Sequence, residues 1–253
     1  MKEISREIVE NYDHFSHNIF WSPDNSLYKI CAFGKNVSQR IEFLKYVSGL
    51  ENVDGLILPM DLLKDTEIYG YEIPFLSDSV DLDAFLKNPK DDIDKKMIII
   101  RLFQILNDIH KYFIFNDVRN VNILIKNNKP YFIDWDSGMY LNSSEIIPSS
   151  YNVFKNASKP TLLNDFTKTF MCALSLFFQI DFEFLISYWG LSNLKKFFIL
   201  ANIDKEIINC LSCIISAYEQ RQTTINFDFP GMFESINLPS QREIKRIREK
   251  INS

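Results

Sequence analysis

One stretch near the middle of the chain constrains its architecture more than any other. Residues 115–136 read FNDVRNVNILIKNNKPYFIDWD. Two short β-type runs, NILI and YFI, flank an NNKP link whose composition marks a hairpin turn. A pairing centred near residue 128 leaves Asn122 and Asp134 each six residues away, so they meet at the open end of the hairpin. A carboxylate and a carboxamide oxygen there suit a hard cation such as Mg²⁺, which takes oxygen ligands and keeps positions for phosphate oxygens. Asp117 lies five residues before Asn122, on the loop that enters the hairpin. It approaches the same point from another side, as a base for an incoming hydroxyl must. Taken singly, Asp117 and Asn122 are equally at home as a loop cap and a turn residue. Asp134 joins them into three oxygen-bearing groups around one point, which suits phosphoryl transfer.

The flanking segments differ in character. Before the hairpin come HNIFWS (17–22), a PDN turn (23–25) and SLYKICAF (26–33). SQRIEFLKYVSGL follows, with Ile41, Leu44 and Val47 spaced for one helical face. GLILPMDLLKD and IYGYEIPFL are two further β-type runs. From about residue 82 the pattern is helical. DLDAFLKNP is short, and DDIDKKMIIIRLFQILNDIHKY is long, amphipathic and opened by acidic residues. Residues 137–160, rich in Ser, Asn and Pro, read as a loop. The remainder is helical in pattern up to Pro230, where an irregular segment leads to a terminal helix. The expected fold class is α+β, with a small β-rich lobe over 1–76 and a larger α-helical lobe over 77–253.

Composition excludes several classes. The 253 residues are 46% hydrophobic and 24% charged, enough for a sizeable core. A net charge of −5 provides no basic face for nucleic acid. The basic run QREIKRIREKINS is expected as a solvated terminal helix. MKEISREIVE lacks the apolar core of a secretory signal. The most apolar stretch, residues 170–189, is interrupted by Asp181 and Glu183, so a buried helix is expected and no membrane span. Cys31, Cys172, Cys210 and Cys213 lie in apolar surroundings and read as core thiols of a reducing compartment. The cytoplasm is therefore the expected location, whether the producing cell's own or that of a cell receiving the protein.

The segment IFNDVRNVNILI resembles the catalytic loop of the protein kinases, the H-R-D-L-K-x-x-N pattern, in register and without a gap. The resemblance implies a two-lobed protein-kinase-like fold that uses ATP and Mg²⁺. Asp117 falls on the catalytic aspartate, Arg119 on the loop lysine and Asn122 on the metal-binding asparagine. IDWD falls on D-F-G, making Asp134 the main metal ligand. LYKI resembles the strand with the phosphate-pairing lysine, implying Lys29, and Glu42 in RIEFL is its implied helix partner. YEIPFLSD resembles the hinge, which brings adenine near Glu72 to Phe75. NDFTKTFMCALSLFF resembles the buried helix whose leading aspartate, here Asp165, braces the catalytic loop.

The departures are equally specific. Phe115 stands at the histidine position, Asp136 replaces the D-F-G glycine, and NYDHFSHNIFWSPDN contains no glycine for a phosphate loop. No A-P-E motif follows. Arg119 points to a Ser/Thr hydroxyl of a protein as acceptor, while Asp136 and the missing A-P-E favour a small-molecule hydroxyl. A pseudokinase that binds nucleotide or a partner protein without turnover is the alternative, and nucleotide transfer a third.

Overall fold

The computed structural model describes residues 2–3, 12–16, 18–31, 37–50, 53–64, 69–89, 94–141, 143 and 160–252. The first strands are β1 (Lys2–Glu3), β2 (His14–Ser16), β3 (Ile19–Trp21) and β4 (Leu27–Cys31). Helix α1 (Val37–Ser48) follows, then β5 (Asp61–Lys64) and β6 (Tyr69–Ile73). These strands form one sheet in the order β1-β5-β6-β4-β3-β2, antiparallel except for β1 with β5. Gly70 is required where β6 passes β4, because a Cβ there would overlap the Lys29 carbonyl oxygen.

Cross-strand partners share a face. Trp21 pairs with Leu27, Leu27 with Ile73, and Lys29 with both Ile19 and Tyr71, so these side chains share one side of the sheet. Phe20, Tyr28 and Leu63 form a small cluster of their own. The expected apolar stripe of α1 is rotated. Leu44 and Val47 are buried, but Arg40 and Phe43 complete the inner face and Ile41 lies at its edge.

The helical part opens with β7 (Val80–Asp81) and α2 (Leu82–Lys87), then α3 (Lys95–Ile109), capped by Asp94. The short strand β8 (Phe113–Ile114) precedes β9 (Ile123–Lys126) and β10 (Lys129–Phe132), and β11 (Met139–Tyr140) pairs back with β8. The hairpin is tighter than expected. Lys126 pairs with Lys129 across a two-residue turn in which Asn127 and Asn128 have φ of 50° and 60°. Asparagine tolerates that geometry, which matches the twist of the strands. The centre therefore falls between the two asparagines. Ile133, not Asp134, lies opposite Asn122 and donates to its carbonyl at 3.0 Å.

Four further helices complete the helical part around α4 (Leu162–Phe178), and α4 is buried along nearly all its surface. Gln179 ends it in the left-handed region, and Asp181 caps α5 (Phe182–Leu200). That break explains the interrupted apolar run. Among the described residues no helix is long and apolar enough to cross a membrane. Helix α6 (Lys205–Glu219) is followed by α7 (Phe229–Ser235) and α8 (Gln241–Ile251). Pro230 begins α7 instead of ending the helical region, because the first turn has no use for its missing N–H. The basic terminal helix is more than a solvated face. Arg246, Arg248 and Lys250 donate to the carbonyls of Ala201, Gln179 and Leu200 at 3.2, 2.6 and 2.7 Å, satisfying the ends of α4 and α5. Of the four cysteines, Cys213 is exposed, contrary to a wholly core placement.

Candidate active site

The loop from Phe115 to Asn122 is fixed from beneath by α4. Asp165, fully buried, accepts from the amides of Phe115 at 2.7 Å and Asn116 at 2.9 Å, and His110 Nε2 lies 3.1 Å away. This is the bracing expected of it. Lys168, one helical turn further on, is 1% exposed and donates to the Asn116 carbonyl at 2.6 Å. Burial pushes its pKa down, opposed chiefly by the charges of Asp165 and Asp117. Asn116 itself sits at φ 67°, a conformation asparagine accepts more readily than most residues. Phe115 contributes packing where the kinase pattern has histidine, its ring edge-on to Phe132 and Trp135.

So held, Asp117 is buried at the loop's centre. Asn122 Nδ2 donates to the Asp117 carbonyl at 2.9 Å and to its Oδ2 at 3.0 Å. The amide nitrogen is thus engaged, and the carboxamide oxygen is what Asn122 has to offer a cation.

Across from this loop, Asp134 occupies φ 76°, a left-handed conformation that costs free energy and recurs at functional sites. Its Oδ1 is hydrogen-bonded by Lys29 Nζ and lies 3.3 Å from the Tyr71 hydroxyl, which also accepts from the Trp135 amide at 3.1 Å. Lys29 Nζ is 3.1 Å from Asp136 Oδ2 as well. Burial raises the Asp134 pKa, but Lys29 and hydrogen bonds from Asp136, Lys29 and Tyr71 outweigh it, leaving the carboxyl below its ordinary value. Burial also lowers the Lys29 pKa, and the two carboxylates overcome that and hold it above a normal lysine. Asp136 is pushed up to about 6, first by burial and then by the charge of Asp134.

A pH dependence follows. The folded Asp136 binds its proton more tightly than the unfolded one, so its ionisation works against the fold. The protonated form's contribution is fully present below the unfolded carboxylate pKa and is lost as pH rises through about 6. Thermal unfolding without divalent cations is expected to show the midpoint falling from pH 4 to pH 7. Asp136→Asn should remove that component of the slope.

Two carboxylates and a carboxamide oxygen match the hard-oxygen preference of Mg²⁺. No group of three or more His, Cys, Asp or Glu side chains able to hold a metal occurs among the described residues.

Two sequence-predicted members stand elsewhere. Glu42 is on the exposed side of α1, and the ion pairs of Lys29 among the described residues go to Asp134 and Asp136. At about 100° per residue, turning Arg40, Phe43, Leu44 and Val47 inward turns Glu42 outward. Arg119 pairs with Glu183 at 3.1 Å, and Glu183 also accepts from the Asn120 amide at 2.8 Å. A carboxylate this buried needs such donors. Burial raises the Glu183 pKa, and those bonds oppose the rise.

At the hinge, the Glu72 side chain accepts from Ser26 and its carbonyl from the Met60 amide at 2.7 Å, so Glu72 faces away from Lys29. Phe75 is half-exposed and touches Trp21 and Phe15 with ring centroids 4.7 and 5.8 Å apart. Tyr71 and Lys168 were not singled out by sequence reasoning. The lysine's place three residues after Asp165, in a helix expected to be buried, was the available signal.

No protein-family model matches the chain. A probable bifunctional tRNA threonylcarbamoyladenosine biosynthesis protein of Methanosphaera stadtmanae is 35% identical over 38% of this chain. The match spans 20% of that longer protein, so the likeness concerns one part of it. Among solved structures, the PK-1 kinase of Cydia pomonella granulovirus superposes with a TM-score of 0.57 at 15% identity, covering 83% of this chain and 84% of its own. The fold is protein-kinase-like, with a small sheet-bearing part and a larger helical part.

Proposed function

We propose that this kinase-like chain is an ATP-dependent phosphotransferase that acts on a hydroxyl group, with a Ser/Thr hydroxyl of a protein as the favoured acceptor. The observation that carries the reading is the convergence of Lys29, Asp134 and Asp136 from strand β4 and the hairpin, beside a loop that fixes Asp117 through Asn122. Asp117 orients the acceptor and takes its proton as the oxygen bonds to the γ-phosphorus and the bond to the β-phosphate oxygen breaks, releasing ADP. Lys29 leaves its carboxylates to hold the α/β-phosphates. Asp134 and the Asn122 carboxamide oxygen would hold Mg²⁺, which would neutralise phosphate charge. Adenine lies on the face bearing Trp21, Leu27 and Ile73, against Phe75. Glu72 stands behind that face, its side chain engaged by Ser26 and its carbonyl by the Met60 amide.

A second reading, a pseudokinase that binds nucleotide or a partner protein without turnover, draws on Phe115 at the histidine position and on the glycine-free stretch NYDHFSHNIFWSPDN. Incubation with γ-labelled ATP and Mg²⁺, with protein acceptors and small alcohols supplied separately and intact masses recorded, separates the two. Label on a protein hydroxyl is the expected result. Label on small alcohols alone moves the acceptor class, a nucleotide-sized mass gain indicates nucleotidyl transfer, and bound ATP without transfer supports the pseudokinase.

A further inference from the structure

Helix α1 reaches the 136–138 turn through a cation, not a carboxylate. Arg40 is 7% exposed although it lies on a solvent-bordered helix. Its Nη1 donates to the Asp136 carbonyl at 3.1 Å and to the Gly138 carbonyl at 2.7 Å. One guanidinium nitrogen carries two hydrogens, enough for two main-chain acceptors. Phe43, one turn along the same face, closes the contact. A Cβ on Gly138 would overlap its ring, so the helix and the turn touch with no space for a side chain between them.

The turn so held presents Asp136. Its backbone is bound by Arg40, and its carboxylate lies 3.1 Å from Lys29 Nζ. A continuous path therefore runs from α1 through the main chain of Asp136 to its side chain, to Lys29 and to Asp134. Glu42 takes no part in it. We propose that Arg40 is the positioning residue of the metal-binding turn, and that Asp136 sets Lys29 in place of a carboxylate from α1. The catalytic consequence rests on the phosphotransferase reading above, whereas the structural claim does not.

Two consequences follow. Displacing α1 moves the carbonyls that Arg40 holds, and with them the Asp136 carboxylate, so the helix acts on Lys29 through the turn. Removing Arg40 leaves two carbonyls without their donor, and the turn opens toward water to satisfy them.

Cys31 provides a readout that needs no activity. Its Sγ is buried and 3.8 Å from Asp136 Oδ2, so it is shielded by the turn that Arg40 holds. Cys172 and Cys210 are buried elsewhere and report global unfolding, and exposed Cys213 calibrates the reagent. Alkylation of each cysteine, followed by peptide mass, would be timed in wild type, Arg40→Ala, Arg40→Lys and Glu42→Ala.

The expected result is about a tenfold faster reaction of Cys31 in Arg40→Ala, with Cys172 and Cys210 still protected. Arg40→Lys should be intermediate, millimolar guanidinium should restore protection to Arg40→Ala, and Glu42→Ala should match wild type. Cys31 equally protected in Arg40→Ala and wild type would overturn the proposal, as would equal exposure in Glu42→Ala and Arg40→Ala. If Arg40→Ala also exposes Cys172 and Cys210, Arg40→Lys decides. Selective exposure of Cys31 in it supports the proposal, and wild-type protection overturns it. In protein that turns over ATP, Arg40→Ala should raise the Mg²⁺ concentration for half-maximal rate and leave KM for the acceptor unchanged. A wild type that transfers no phosphate removes the kinase reading and leaves the cysteine result intact.

Discussion

Asp117→Ala is expected to slow phosphoryl transfer by about 10³-fold, the usual scale for a lost general base, while nucleotide affinity stays near wild type. The Asp117 carboxylate bonds to Asn122, not to Lys29, so its removal leaves the lysine pairs standing. Asp134→Ala should do more. It removes the proposed Mg²⁺ ligand and the partner of both Lys29 and Tyr71, so transfer and Mg²⁺-dependent nucleotide binding are expected to fail together. Single-turnover transfer and nucleotide titration with and without Mg²⁺ test the pair. Equal turnover in wild type and both variants would end the phosphotransferase reading.

The largest expected loss of stability is at Asp165. With no exposed surface it satisfies two backbone amides of the 115–122 loop, and its charge opposes the desolvation of buried Lys168. Asp165→Ala orphans the amides and leaves an ammonium without its leading counter-charge. Breaking a buried charged arrangement of this kind costs about 3–5 kcal/mol. Chemical denaturation should show it as a lower midpoint with an unchanged slope. Adding Lys168→Met to Asp165→Ala is expected to recover part of the loss, because the buried ammonium that has lost its leading counter-charge is then removed. Strict additivity of the two substitutions would show that the lysine is not coupled to Asp165.

The hairpin, and the nearness of the candidate residues on it, were legible because their relation is local. Strand alternation and a short turn bring Asn122 and Asp134 to one end over about a dozen residues, and an error of half a residue in the centre moves neither away from it. The α+β division was legible for the same reason, since period-two and helical patterns occupy separate stretches. The phase of α1 was not. Ile41, Leu44 and Val47 and the set Arg40, Phe43, Leu44 and Val47 differ by a small rotation, and only packing against the 136–138 turn decides between them. Pairing across distance was equally hidden. Nothing local to Arg119 announces Glu183, 64 residues later, and nothing in the basic terminal run announces the helix ends it covers. Glu183 was visible only as an interruption of an apolar run.

The Lys29 pairing has a thermodynamic consequence of its own. With its ammonium against Asp134 and Asp136, the protein carries an internal counter-ion where the proposed divalent cation would be held. Cation entry would compete with that ammonium, and phosphates would draw the ammonium away and vacate its place. On the phosphotransferase reading, nucleotide and Mg²⁺ would be linked ligands, each strengthening the other's binding by one common factor. Free Mg²⁺ would meet a site already electrostatically satisfied. The lysine would then act as a lock that the nucleotide releases.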